Sequence, residues 1–132
     1  RPAPPAAPAL PPPQHPPHRP RATVARMIVE ERIYTLHTGK VPDYLALYEA
    51  EGLAVQTEIL GHLVGYFSTE FGPLNQVVHL WAYADLAERA RRRKILAADE
   101  RWKAYVPKIR PMVISQENKL LVPTSFSPVH KV

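Results

Sequence analysis

Two short runs of the chain carry side chains able to do chemistry. Glu30, Arg32 and Tyr34 alternate in IVEERIYTLH, and His79, Trp81 and Tyr83 alternate in QVVHLWAY. In an extended strand, alternation puts each triplet on one face. Histidine can pass a proton near neutral pH, arginine can clamp a carboxylate or enolate, and an indole offers a flat apolar wall. These six residues form the candidate ligand-binding set, with none singled out as catalytic. His62 and His79 do not have metal-ligand spacing, and the chain has no cysteine, so no metal is expected. There is no G-x-G-x-x-G, phosphate-binding loop or serine elbow, which argues against dinucleotide, nucleotide and serine-hydrolase chemistry. No cofactor is expected.

The strands that must position these groups follow from local pattern. Leu60 to Asp85 reads as a hairpin, with strands at Gly61–Phe71 and Gln76–Tyr83 and a break at Gly72-Pro73. Val78, Leu80 and Ala82 are aliphatic and suit packing beneath helices. His79, Trp81 and Tyr83 are then expected on the opposite face, enclosed away from the helices, with His79 hydrogen-bonded to Arg32, Tyr34 or Glu30. Ile28–His37 is a strand in which Ile28, Glu30, Arg32, Tyr34 and Leu36 share one face. Val29, Glu31, Ile33, Thr35 and His37 share the other.

A helix opens at Pro42 and buries Val41, Tyr44, Leu45 and Tyr48, with Val55 more loosely aligned; Gly52 and Val55 weaken it near its end. Asp85 with Glu88 forms a capping signature for a helix through Ala97, whose Arg91–Lys94 run reads as a solvated face. Asp99 caps a second short helix carrying Trp102, Val106 and Ile109, and Pro107 marks its bend or exit. Met112–Val122 is the last strand. The order β-α-β-β-α-β predicts an α+β, ferredoxin-like fold with an antiparallel sheet in the order 4-1-3-2 and helices on one face. The uncovered face, taken to include Trp81 and Tyr83, is too apolar for water. The expected remedy is a homodimer whose facing sheets form a dimeric α/β barrel.

The first 26 residues differ from the rest. They hold ten of the 16 prolines and four of the 17 basic residues, with no glycine and no acidic residue. Such a segment reads as a disordered Pro-rich tail, dispensable to a domain spanning 27–128, with 129–132 a short C-terminal tail. Met27 is read as a possible true start, with the tail an upstream extension. The net charge of +5 comes mostly from that tail, because Met27 onward carries 13 basic and 12 acidic residues. A near-neutral domain does not suit nucleic acid, so no nucleic-acid partner is expected. No apolar run is long enough to span a membrane. The lack of cysteine fits a reducing compartment, and a cytoplasmic location is expected.

The residues from Met27 to about Pro128 resemble the NIPSNAP family. The marks are E-x-R-x-Y-T (Glu30, Arg32, Tyr34, Thr35), G-K (Gly39, Lys40), V-G-Y-F (Val64–Phe67) and G-P-L-N-Q-V-V-H-L-W-x-Y (Gly72–Tyr83). To these add the spacing of Arg89, Arg93, Leu96, Asp99 and Trp102, and S-Q-E at Ser115–Glu117. Glu31 replaces a usual aliphatic residue, and Thr38 stands where proline is common. The resemblance implies a dimeric α/β barrel. Animal members resemble mitochondrial and vesicle-associated interaction proteins, whereas short bacterial-looking members mostly have no known activity. Other barrels of this kind include small monooxygenases, haem-degrading enzymes and isomerases, an analogy of fold alone.

Three functional readings stay open. The first is a barrel that binds a small apolar or aromatic ligand in its sheet cavity. The second is an interaction module in which His79 and Arg32 are satisfied interior groups. The third is a monooxygenase- or isomerase-like enzyme.

Overall fold

The computed structural model describes residues 1–14, 27–129 and 132. Residues 1–14 are exposed and carry no helix or strand. The remainder of the expected tail, 15–26, lies outside the described residues.

Four strands make one antiparallel sheet: β1 (Ile28–Leu36), β2 (His62–Ser68), β3 (Gln76–Tyr83) and β4 (Val113–Leu121), in spatial order β2-β3-β1-β4. This is the expected ferredoxin-like order. Helices α1 (Val41–Leu47), α2 (Leu53–Leu60), α3 (Leu86–Ala98) and α4 (Glu100–Ile109) complete the fold. The caps are those the sequence advertises. Asp85 accepts from the Glu88 N–H, and Asp99 accepts from the N–H groups of Arg101 and Trp102. The Glu88 carboxylate does not reach back to the cap, since it holds Arg91 and Arg92 instead.

Local expectations are corrected at three places. Strand β2 stops at Ser68, short of Phe71, because a loop containing the left-handed Gly72 and Asn75 already turns the chain. Helix α4 runs two residues past Pro107 before a 3₁₀ turn at Arg110–Met112. Burial of Tyr105 and Ile109 holds this last turn despite the lost N–H. The first helix does not fade at Gly52. A π turn, Tyr48–Gly52, links α1 to α2 and keeps one continuous helical rod.

The largest correction concerns which face the helices cover. The core contains Tyr34, Leu36 and Val77 with Tyr44, Tyr48, Tyr105 and Ile109, and Ile28, Trp81 and Tyr83 with Val55, Leu60 and Leu96. The aromatic and polar set therefore lies beneath the helices. Val29, Val78, Leu80 and Ala82 face the other way, and Met27, Val29 and Ala82 form a separate small cluster there. Hydroxyl, indole and imidazole groups can be enclosed there because most find partners within the cluster: Trp81 on His79, Arg32 on the Tyr34 hydroxyl, and the Tyr44 and Tyr66 hydroxyls on each other. Glu31 falls on the open face, opposite Leu80 and Lys119.

Gly52 ends the π turn where a Cβ would stand 2.8 Å from Tyr48 Cδ2 and 2.9 Å from Tyr105 Cζ. At Gly61, φ is +92° and a Cβ would meet the Arg92 guanidinium, which donates to the Ile59 carbonyl at 3.1 Å and ties α3 to the end of α2. Replacing Gly52 by alanine is expected to cost about 1–3 kcal/mol through overpacking. A urea midpoint equal to the parent's would show that the two tyrosines move aside freely.

Candidate functional site

The structure brings the six sequence-predicted residues together, on the opposite side of the sheet from the one expected. Strand pairing sets Glu30 against Trp81, Arg32 against His79 and Ile28 against Tyr83. All six lie between the sheet and the helices.

The site is organised on Glu30, whose residue exposure is 2 %. Its Oε2 accepts from Arg89 of α3, from Asn118 Nδ2 of β4 at 2.9 Å and, weakly, from Arg32 Nη1 at 3.4 Å. Burial opposes the charge, yet the bonds from Arg89 and Asn118 and the nearby arginines hold the carboxyl below its ordinary range. Arg32 donates through Nε to the Tyr34 hydroxyl at 2.9 Å and lies 5.5 Å from the Tyr34 ring centre. Glu30 Oε1 accepts no hydrogen bond among the described residues. A cavity of about 230 Å³ borders this cluster, lined by Glu30, Leu86, Arg89, Asn118, Lys119 and Leu120.

His79 does not bond to Arg32, Tyr34 or Glu30, in contrast to the expectation. Its Nδ1 accepts from Trp81 Nε1 at 2.6 Å. The neutral ring must therefore carry its proton on Nε2, which has no partner among the described residues. Tyr66 stacks on the imidazole with ring centres 4.5 Å apart, and Tyr34 meets it edge-on at 5.0 Å. Burial, with Arg32 and Arg93 nearby, lowers the His79 pKa to about 3. That removes the proton-relay role near neutral pH that the residue type suggested.

Beyond His79 the polar aromatics continue. Tyr66 shares a 3.0 Å hydroxyl contact with Tyr44, and Tyr48 donates to Gln56 Oε1 at 2.6 Å. Tyr83 is raised in pKa by burial, with Arg93 opposing that shift.

Arg89, Asn118, Tyr66 and Arg93 were missed as site residues. Arg89 and Arg93 are four apart and so share a helix face, and the expected strand order already set β4 beside β1. Arg93 was hidden by the reading of the Arg91–Lys94 run as a solvated face, whereas Arg89, Asn118 and Tyr66 meet Glu30 and His79 only through contacts distant in sequence. Only Arg91 and Lys94 of that run are exposed, while Arg92 and Arg93 are half-buried. Among the described residues no group of three or more His, Cys, Asp or Glu is set to hold a metal ion, and no helix is long and apolar enough to cross a membrane.

A helix-covered antiparallel sheet with a closed polar-aromatic cluster defines a ferredoxin-like α+β protein. The family model described as NIPSNAP matches residues 29–128, and the chain belongs to the NIPSNAP family. It is 54% identical to a NIPSNAP family protein from Agrobacterium tumefaciens, with a TM-score of 0.76 over 77% of this chain and 90% of that one. It is 52% identical to an uncharacterized NIPSNAP-like domain protein from Burkholderia xenovorans, with a TM-score of 0.78 over 81% and 93% of the two chains. Human NipSnap homolog 3A is 40% identical over 105 residues, covering 76% of this chain and 42% of that protein. The chain thus spans less than half the length of the first curated relatives it matches. A putative antibiotic biosynthesis monooxygenase from Chloroflexus aurantiacus, 11% identical with a TM-score of 0.51, shares the fold alone.

The buried imidazole makes stability depend on pH. An unfolded histidine takes its proton near 6.5, whereas folded His79 stays neutral down to about 3. Between these values the unfolded chain binds more protons, so stability falls on acidification at a slope approaching about 1.4 kcal/mol per pH unit. Glu30, lowered in the folded state, adds its own loss only below its ordinary value of 4.5. In urea melts between pH 6.5 and 4.5, His79→Gln is expected to flatten most of this slope. An unchanged slope in the variant would assign the titration to another group.

Proposed function

We propose that this chain binds a small organic anion between its helices and its sheet, and that it does so as a homodimer. The observation that carries the first part is the imbalance of charge around Glu30. Arg32 and Arg89 contact its one buried carboxylate, and Arg93 lies close enough to depress the pKa of His79. A ligand carboxylate at the bordering cavity would offset the surplus, with Arg89 and Asn118 as donors already held in place by Glu30. Leu86 and Leu120 supply the apolar part of the cavity lining.

Binding rather than proton-transfer catalysis is favoured because neither Glu30 nor His79 is poised near neutral pH. Titrating benzoate into the protein by calorimetry tests this. Arg89→Gln is expected to lower the urea midpoint, because Glu30 loses a charged donor. Where circular dichroism shows the variant folded, it is expected to weaken binding about tenfold or more, the effect of one lost charge-assisted hydrogen bond. No measurable heat with the parent protein, or equal affinity in the variant, would sink the proposal.

The dimer is supported by the open sheet face, though by different residues from those expected. Val29, Ile33, Val78 and Leu80 make it aliphatic, and Phe67 at 57 % exposure lies beside them. A second copy would cover such a face through a two-fold axis. Light scattering after size-exclusion chromatography is expected to give twice the chain mass, and Leu80→Glu the single mass. A parent protein that elutes as a monomer at micromolar concentration would remove the barrel. The absence of cysteine fits the cytoplasmic location that we assign to it.

A further inference from the structure

The helices cover β2, β3 and β1 but leave the same side of β4 bare. Gln116 pairs with Tyr34, Asn118 with Arg32 and Leu120 with Glu30, so these β4 residues lie on the helix side of the sheet. All are nevertheless exposed, Leu120 by 53 %, and Ile114 further along the strand by 59 %. A cavity flanks each end of this strip. One is the 230 Å³ space at Arg89, Asn118 and Leu120. The other, about 310 Å³, lies between β4 and α4 and is lined by Val106, Ile109, Val113, Ile114 and Gln116 together with Arg110. The first end is cationic; the second sets those aliphatic side chains beside the polar groups of Arg110, Ser115 and Gln116, and Gln116 lies between the two ends along the strand.

We infer that the ligand is a linear amphipathic carboxylate, its head at Arg89 and Asn118 and its chain lying along β4 to Ile114, Ile109 and Val106. The inference rests on the anion-binding reading above and adds the shape and polarity of the ligand. Asn118 lies four residue steps along β4 from Ile114, roughly 13 Å at about 3.3 Å per residue, the length of a chain of about ten carbons. The trough is open on one side, so each methylene is only part-buried. The gain should be about twofold per methylene, against about fourfold for complete burial. Arg110 borders the aliphatic end and could hold the head in the reverse orientation, which the variants below separate.

Calorimetric titration of the full chain with butyrate, hexanoate, octanoate and decanoate tests the inference. Affinity is expected to rise steadily with length to decanoate. Ile114→Asp should bring decanoate down to the butyrate level while leaving butyrate unchanged, and Arg89→Gln should weaken every acid in the series. Equal affinity for butyrate and decanoate would overturn the extended chain and leave the anion site standing. No binding of any of the acids would overturn both. Damage from Arg110→Gln in place of Arg89→Gln would reverse the assigned orientation and so refute it. Loss of the chain-length gain in Leu80→Glu would move the tail to the open sheet face. Light scattering is expected to show Ile114→Asp with the same mass as the parent. A change to monomer would show that a second copy of the chain covers the trough, and the inference would fall.

Discussion

The Glu30 carboxylate is the interaction on which the arrangement of this domain depends. It sits in the central pair of strands and takes donors from α3 through Arg89 and from the edge strand through Asn118. Oε2 takes all three donors, Arg32 included, while Oε1 has no partner among the described residues. A buried carboxylate is tolerated when bonded donors neutralise its charge. Here that requirement fixes three elements relative to one another. It also orients the guanidinium groups, because Arg32 is turned by Glu30 on one side and by the Tyr34 hydroxyl on the other. The same contacts that satisfy the fold thereby hold the cationic groups at the edge of a cavity.

Around that centre the domain uses aromatic rings with polar handles in place of a purely aliphatic core. Tyr34, Tyr44, Tyr48, Tyr66 and Tyr105 form a linked set of ring contacts, and His79 joins it to Trp81. Each ring removes much apolar surface from water, and most of the handles find one another or a helix residue. The π turn follows from this packing. The turn brings Tyr48 over Tyr66, and Gly52 leaves space for the Tyr48 and Tyr105 rings. The histidine is neutral because its surroundings are dry and two arginines are near, which explains how a residue of catalytic type comes to serve as packing.

Much of the fold was legible in the residues themselves. Alternation marked β1 and β3, Asp85 and Asp99 marked two helix starts, and the element order implied the strand order found. These features depend on contacts between residues near in sequence, so a local pattern records them. The grouping of Glu30, Arg32 and Tyr34 with His79, Trp81 and Tyr83 was legible too, because parity along two adjacent strands settles it.

The tertiary structure alone decided which way that grouping faces. Parity separates the two faces of a strand without saying which one the helices take. Judged by hydrophobicity, Val78, Leu80 and Ala82 were the better candidates for the covered face. The balance was tipped by partners distant in sequence: Arg89 for Glu30, Tyr66 for His79, and Tyr44 and Tyr48 behind Tyr66. Burial of a polar group costs free energy until its partner arrives, and the partner's arrival is a property of the whole fold. The sequence by itself therefore determined the elements, their order and the membership of the cluster. Packing determined its side of the sheet, its additional residues, and the uncovered strip of β4 beside it.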